Sequence, residues 1–393
     1  MFARGMYRTW LVGLLVSAFM LSLLFGCASE SGGDDGGGQS DDSASSARLS
    51  EDNLQELDSV IDQEMQDKNL PGMVVGVWLP DEGEYVVAKG EANRDTGRER
   101  QPDDPFRIAS ITKTFTATAI LQLVDEGRLS KTDTLATWYP DFPNGDEITV
   151  NDLLRMRSGI DDPFDQEFLE YYYDNPEVSI TADEIIQLAA DRADEFEPPG
   201  QQTNYTNVNY TLLQEIVRRV SGNDLGVQIA QGIFEPLSME NSLYPANNNL
   251  PGELRGYSWD TESEKFEDKT VLNPAVPGGA GAIISDLSDM RIYAKALCAG
   301  DLLEPETQAA RLEGETLEDA PDFVRYGEGV ELFGDFCGHN GTIFGFSSEM
   351  FYLPEEDAVI VVNVNRLDED DESKSTDLFL AATKTLFPEY VDW

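Results

Sequence analysis

The chain has 393 residues, 75 acidic against 27 basic side chains, a single histidine and a formal net charge of −48. That length can bury one large core or two intergrown domains, while so acidic a balance excludes nucleic acid as a partner. One histidine and three cysteines give no metal-ligand spacing, so neither a metal nor a cofactor is expected. The acid excess reads either as the solvated surface of a salt-adapted protein or as an unusually acidic exported one.

In chain order, Arg4 and Arg8 precede an apolar run from Trp10 to Gly26, the layout of an export signal over residues 1–26. The run closes on Leu24-Phe25-Gly26-Cys27, which resembles a bacterial lipobox, although Phe25 departs from the small or aliphatic residue usual there. Lipidation of Cys27 is the preferred reading, placing the protein at the membrane of the cell envelope. Plain secretion and an uncleaved anchor are the alternatives. Residues 27–50 are rich in Gly, Ser and Asp without apolar periodicity and read as a disordered tether.

From Ser50, the spacing of Leu54, Leu57, Ile61 and Met65 predicts a helix that Pro71-Gly72 ends. "GMVVGVWLP" and "EYVVAKGEA" then read as a strand pair. A helix is expected from Ser110 to Glu126, with Gly127 as its stop. Helical pieces follow at "TVNDLLRM", "TADEIIQLAADRA" and "TNVNYTLLQEIVRRVSG", the second opened by a Thr181/Glu184 capping box. After "PGGAGAIISDLSDMRIYAKALCAG", read as a glycine turn and a helix capped by Ser285, three antiparallel strands are expected at "YGEGVELFGDFCGHNG", "TIFGFSSEMFYLP" and "DAVIVVNVN". An acidic loop and a last helix around "TDLFLAATKTLF" complete the chain. The pattern implies an α+β fold. An antiparallel sheet flanked by helices is built from both chain ends, 51–135 and 270–393, with an all-α domain, 136–269, inserted between them. In an exported protein Cys298 and Cys337 can pair, or they can remain two separate buried thiols.

The chemistry starts at "FRIASITKTFTAT". A lysine three residues after Ser110 lies one turn along the same helix face, so the Lys113 ammonium can approach the serine oxygen, and the helix start adds N–H groups that favour negative charge beside it. A serine needs such help to act as a nucleophile. Taken alone, Ser110 could equally be a helix cap. Two further motifs follow in order: Tyr205-Thr206-Asn207 at a helix start, and His339-Asn340-Gly341 entering a strand. No Gly-x-Ser-x-Gly elbow is present, which argues against an α/β-hydrolase triad.

Together the three motifs resemble those of the penicillin-recognising serine hydrolases, the branch holding class C β-lactamases, D-alanyl-D-alanine carboxypeptidases and related esterases and D-amino-acid peptidases. The likeness runs from about Leu70 to Asn365 and takes in "ITVNDLLRMRSGI" and "HNGTIFGFSSEMFYLPEEDAVIVVNVN". It implies the β-lactamase/transpeptidase fold and an acyl-enzyme formed on D-Ala-D-Ala-type peptides or related amides, esters or β-lactams. Within it Ser110 is the nucleophile, Lys113 its charge-tuning partner and Tyr205 the general base, its phenolate favoured by Lys113 and a protonated His339. Asn207 orients Lys113 and the acyl-side amide. The N–H groups of Ser110 and Thr342 form an oxyanion hole, and Gly341 lets substrate lie against the strand. Two departures stand out: Asn340 where Thr or Ser usually meets a substrate carboxylate, and Met156-Arg157 where His-Thr is common. They keep an esterase or D-amino-acid hydrolase open beside a carboxypeptidase. From another class, the same fold can serve as a non-catalytic penicillin-binding sensor or scaffold.

Overall fold

The computed structural model describes residues 47–192, 198–261, 263–318, 320–368 and 374–391. The expected signal segment, Cys27 and nearly all of the tether lie outside the described residues, as does most of the acidic loop. Ser50 caps α1 (Glu51–Asp67), which buries Leu57 and Ile61. A hairpin follows, β1 (Gly72–Leu79) and β2 (Gly83–Asn93), with the short strands β3 (Arg98–Glu99) and β4 (Phe106–Arg107). A 3-10 turn, Ala109–Ile111, leads into α2 (Thr112–Asp125), and Gly127, at φ +69°, carries the chain out of it. The stop is where the sequence places it because a left-handed residue there costs glycine little.

Helices then dominate: α3 (Val150–Leu154), α4 (Gln166–Asp174), α5 (Ala182–Ala190), α6 (Val208–Ser221), α7 (Leu225–Ile229) and α8 (Glu235–Leu237). The Thr181/Glu184 capping box is present at α5, and a second one, Thr149 with Asp152, opens α3. The interval 136–269 is not purely helical. It also holds the hairpin β5 (Tyr257–Asp260) and β6 (Lys265–Asp268), whose Trp259 and Phe266 rings meet edge to face at 4.9 Å. Its strands are too short and too acidic for an alternation signal.

The second part of the sheet region contains α9 (Gly278–Gly281), β7 (Ile284–Ser285), α10 (Leu287–Ala299), α11 (Pro305–Arg311), β8 (Glu315–Thr316) and β9 (Val324–Tyr326). It continues through β10 (Glu331–Phe333), β11 (Phe336–Ile343), β12 (Phe346–Leu353), β13 (Ala358–Val364) and α12 (Lys374–Leu386). The cap of α10 is Asp286, whose carboxylate accepts from Asp289 N. Ser285 pairs with Phe106 in β7–β4, and its hydroxyl lies 2.7 Å from that of Ser242. The stretch expected as one strand at "YGEGVELFGDFCGHNG" holds the end of β9, then β10 and β11, because Gly329, at φ +69°, lies in the turn from β9 to β10 and Gly334, at φ +59°, turns β10 back into β11.

Nine strands form one sheet in the order β3-β2-β1-β13-β12-β11-β10-β9-β8. The two chain ends meet in antiparallel register, Met73 opposite Val364 and Val75 opposite Val362. Every residue of β1 and β13 is buried, as strands covered on both faces must be. Phe351 of β12 packs on Phe379 of α12, whereas Cys337, on the opposite pleat of β11, is disulfide-bonded to Cys298 at the end of α10, with 6.1 Å between the Cα atoms. By the two-residue period of a strand, His339 and Gly341 share the Cys337 face, the face that meets α10 and the turn carrying Ser110. Among the described residues no helix is long and apolar enough to cross a membrane.

Candidate active site

Ser110 lies in the turn between β4 and α2, and the residue before it, Ala109, holds φ +50°. A non-glycine residue in the left-handed region costs about 1–2 kcal/mol, and such strain persists only where the surroundings impose it. Here Ile108 N donates to Ile283 O (3.1 Å), Ile283 N to Thr112 Oγ (3.0 Å), and β11 presses on the turn from the other side. The nucleophile candidate is therefore held by backbone on two flanks.

One turn on, Lys113 is fully buried and its Nζ meets three acceptors: Ser110 Oγ at 2.9 Å, Asn207 Oδ1 at 2.8 Å and the Ala280 carbonyl at 3.0 Å. Burial pulls its pKa down to about 7, with Asp162 acting in the opposite direction. Above that pH the amine would keep two N–H donors for Asn207 and Ala280 and have a lone pair to offer Ser110, in place of the hydrogen bond Nζ donates to Oγ when protonated. The contact with Ser110 and the lowered pKa bear on the charge-tuning role expected from the sequence, which supposes a lysine that stays charged.

Tyr205 stands beside this pair, with Nζ 4.8 Å from its ring centre. Burial drives its phenol pKa well above the ordinary value, and a hydrogen bond with Ser110 only partly offsets that. Burial thus favours the neutral phenol over the phenolate expected from the sequence. His339 changes too. It is fully buried, Nδ1 bonds the Asn340 carbonyl at 2.5 Å, and the Tyr326 hydroxyl lies 3.3 Å from Nε2. Burial, with Lys113 nearby, lowers its pKa to about 3. A buried histidine held neutral supplies no cation, and His339 does not border the cavity beside Ser110.

Gly341 is needed for a reason other than substrate clearance. A Cβ there would lie 2.4 Å from Ile108 O and 2.9 Å from Ser110 N, so its bareness lets β11 close on the Ser110 turn. A cavity of about 140 Å³ opens beside Ser110, bordered also by Asn207, Gly281 and Thr342. Asn340 lies on the opposite pleat from Gly341 and does not border it.

Sequence reasoning missed Asp162. Its carboxylate accepts from Asn207 N (2.7 Å) and Asn207 Nδ2 (2.9 Å), and from Phe164 N (3.2 Å). It thereby fixes the amide so that Oδ1 points at Lys113. Within "GIDDPFD" it reads as one more loop acid, and only the fold brings it to Asn207, 45 positions on. Met156 was flagged only as a departure. At φ +59° it lies under the Tyr205-Thr206-Asn207 turn, where its sulfur accepts from Thr206 N at 3.5 Å. Asp162→Ala is expected to lower kcat/KM by about 10- to 100-fold, as losing an orienting partner does. Asp162→Asn, which keeps an acceptor, should retain most of the rate while moving the pH midpoint downward, because a charge that raises the Lys113 pKa is gone. A pH–rate profile of both variants checks this, and an unshifted midpoint in Asp162→Asn would remove Asp162 from the site.

Residues 57–383 match the family model described as Beta-lactamase. The chain is 27% identical over 345 residues to Protein flp of Staphylococcus aureus strain MRSA252, covering 81% of this chain and 64% of flp, so it spans less than two thirds of that relative. Among solved structures, a D-stereospecific amidohydrolase from a Streptomyces species superposes with a TM-score of 0.71 at 28% identity, covering 84% of this chain and 97% of that one. A penicillin-binding protein from Bacillus halodurans gives 0.71 at 27% identity, covering 83% and 100%.

Proposed function

The chain belongs to the Beta-lactamase family, whose members are serine hydrolases, and we propose that it works through an acyl-enzyme on Ser110, hydrolysing small amides or esters, the class that includes D-Ala-D-Ala-type peptides and β-lactams. The observation that carries this is the contact of a buried lysine of pKa about 7 with the serine oxygen at 2.9 Å. Neutral Lys113 takes the Ser110 proton as Oγ bonds to the substrate carbonyl carbon. The N–H groups of Ser110 and Thr342 receive the developing oxyanion, charge that exists only in the transition state. As the carbonyl–leaving-group bond breaks, the proton passes to the leaving amine or alcohol, Tyr205 donating from its neutral hydroxyl and being reprotonated from Lys113. Water then enters by the reverse path and frees the acid, regenerating Ser110.

Incubation with a fluorophosphonate or a fluorescent penicillin, followed by peptide mapping, should place the adduct on Ser110, and Ser110→Ala should lose it. An absence of adduct on folded protein with both probes would falsify this function. The proposal extends to location. Arg4, Arg8, the apolar run and Cys27 support export and a lipid anchor at the cell envelope, and an intact-mass measurement of the mature chain should find Cys27 as a diacylated first residue. A mature chain beginning elsewhere removes the anchor and leaves the chemistry untouched.

A further inference from the structure

The walls of the cavity at Ser110 carry information about the acyl group. Phe164, Leu169, Tyr172, Val276, Ile343 and Phe344 line it, and among the described residues none of its lining side chains is charged. The aromatic wall is built deliberately. Phe164, just before α4, meets Phe168 of that helix with ring centres 5.0 Å apart, Phe168 and Tyr172 are 6.5 Å apart, and Tyr172 meets Phe344, from the β11–β12 turn, at 4.9 Å. Spacing of four puts Phe168 and Tyr172 on one face of α4. Tyr173 closes on Phe344 edge to face at 5.3 Å. Tyr172, Leu272 and Val276 form a buried cluster of their own, separate from the main core, against which the partly exposed Phe164, Ile343 and Phe344 pack. Phe164, Ile343 and Phe344 therefore keep partly exposed apolar surface at the cavity.

The size is definite. About 140 Å³ is close to the cavity of about 150 Å³ that accepts benzene in an engineered protein. The charge is also definite. A carboxylate entering this space would lose hydration with no cationic side chain lining it, and the net charge of −48 repels anions on approach.

We propose that this aromatic cavity is the acyl side-chain subsite, and that the preferred substrates carry one uncharged, phenyl-sized group on the acyl side of the scissile amide or ester. This rests on the acyl-enzyme reading of Ser110. It narrows the substrate class away from acyl groups bearing a carboxylate.

The test compares methyl 3-phenylpropanoate, methyl acetate and monomethyl succinate by titrating released acid. Methanol as the common leaving group is too small to fill the cavity. The phenylpropanoate should exceed the acetate in kcat/KM by about 10- to 100-fold, the effect of burying a ring, and the succinate should fall below the acetate. Phe344→Ala, and independently Leu169→Ala, should lower the phenylpropanoate-to-acetate ratio at least about fivefold, a ratio measured within one sample and so insensitive to the fraction folded. A flat ratio in wild type, or succinate preferred, while Ser110 still takes the fluorophosphonate, overturns the subsite and leaves the acyl-enzyme standing. No hydrolysis together with no labelling overturns both.

Discussion

Replacing Lys113 by alanine is expected to cut kcat/KM by about 10²- to 10⁴-fold, the usual contribution of a positioned base, and wild-type kcat/KM should rise with pH through a midpoint near 7. The sign follows from the direction of the shift. Burial lowers the Lys113 pKa to about 7, so below that value Nζ is protonated and cannot take the Ser110 proton, while above it the lone pair is free. Other titratable groups face this region. Asp162, buried and shifted upward, raises the Lys113 pKa while it is ionised, and Tyr210, its ring centre 5.9 Å from Nζ, is shifted upward by burial and stays protonated. His339, lowered to about 3, stays neutral across the range. Tyr205 is pushed upward and stays protonated. Glu331, buried and raised to about 7, is the rival, since its carboxylate accepts from Asn340 N and its charge is felt by Tyr205. Glu331→Gln separates the two: the rising limb should survive with its midpoint moved by less than about half a unit. A limb that vanishes in Glu331→Gln would transfer the titration to the carboxylate and deprive Lys113 of its role as base. Lys113→Arg should be nearly as damaging as alanine, because a guanidinium stays charged at every accessible pH.

The parts of this site legible in the sequence are those fixed by short spacing. A serine and lysine three apart on a helix start must meet, and Ser110 and Lys113 do, at 2.9 Å. The order of the three motifs also located Asn207, whose Oδ1 reaches Nζ at 2.8 Å. Protonation states were not legible, because they depend on burial that no local pattern encodes. Burial lowers the pKa of both Lys113 on α2 and His339 on β11, and that burial exists only in the folded chain. Asp162 was invisible for a related reason: its partner is remote in sequence, and a loop acid in a chain with 75 acids carries no signal of its own. In the sheet, the hydrophobic runs of β1, β12 and β13 were plain, whereas β9, β10 and β11 were read as one strand. Left-handed Gly329 and Gly334 mark the two reversals there, and in a glycine-rich stretch one such residue looks like the next.

Gly341→Ala, a single added methyl group, is expected to lower kcat by about 10²- to 10³-fold, as the loss of one oxyanion donor does, and to cost about 1–3 kcal/mol of stability through overpacking. The new Cβ would sit 2.4 Å from the Ile108 carbonyl oxygen and 2.9 Å from Ser110 N. Both are backbone atoms, so no side chain can swing aside. Either β11 moves away from the turn or the turn moves away from β11. In both cases the N–H of Ser110 and that of Thr342, one residue beyond the substitution, lose their common aim. The strained Ala109, at φ +50°, can then relax and turn Ser110 Oγ away from Lys113. Gly127→Ala is the matching control. Its added Cβ meets nothing within 4 Å, but the φ of +69° strains the backbone, so it should cost about 1 kcal/mol and leave kcat/KM within about twofold. Steady-state kinetics and thermal unfolding on the two variants distinguish a glycine that shapes the nucleophile turn from one that only ends a helix. Equal kinetic effects from both would mean that the approach of β11 to Ser110 does not set the rate.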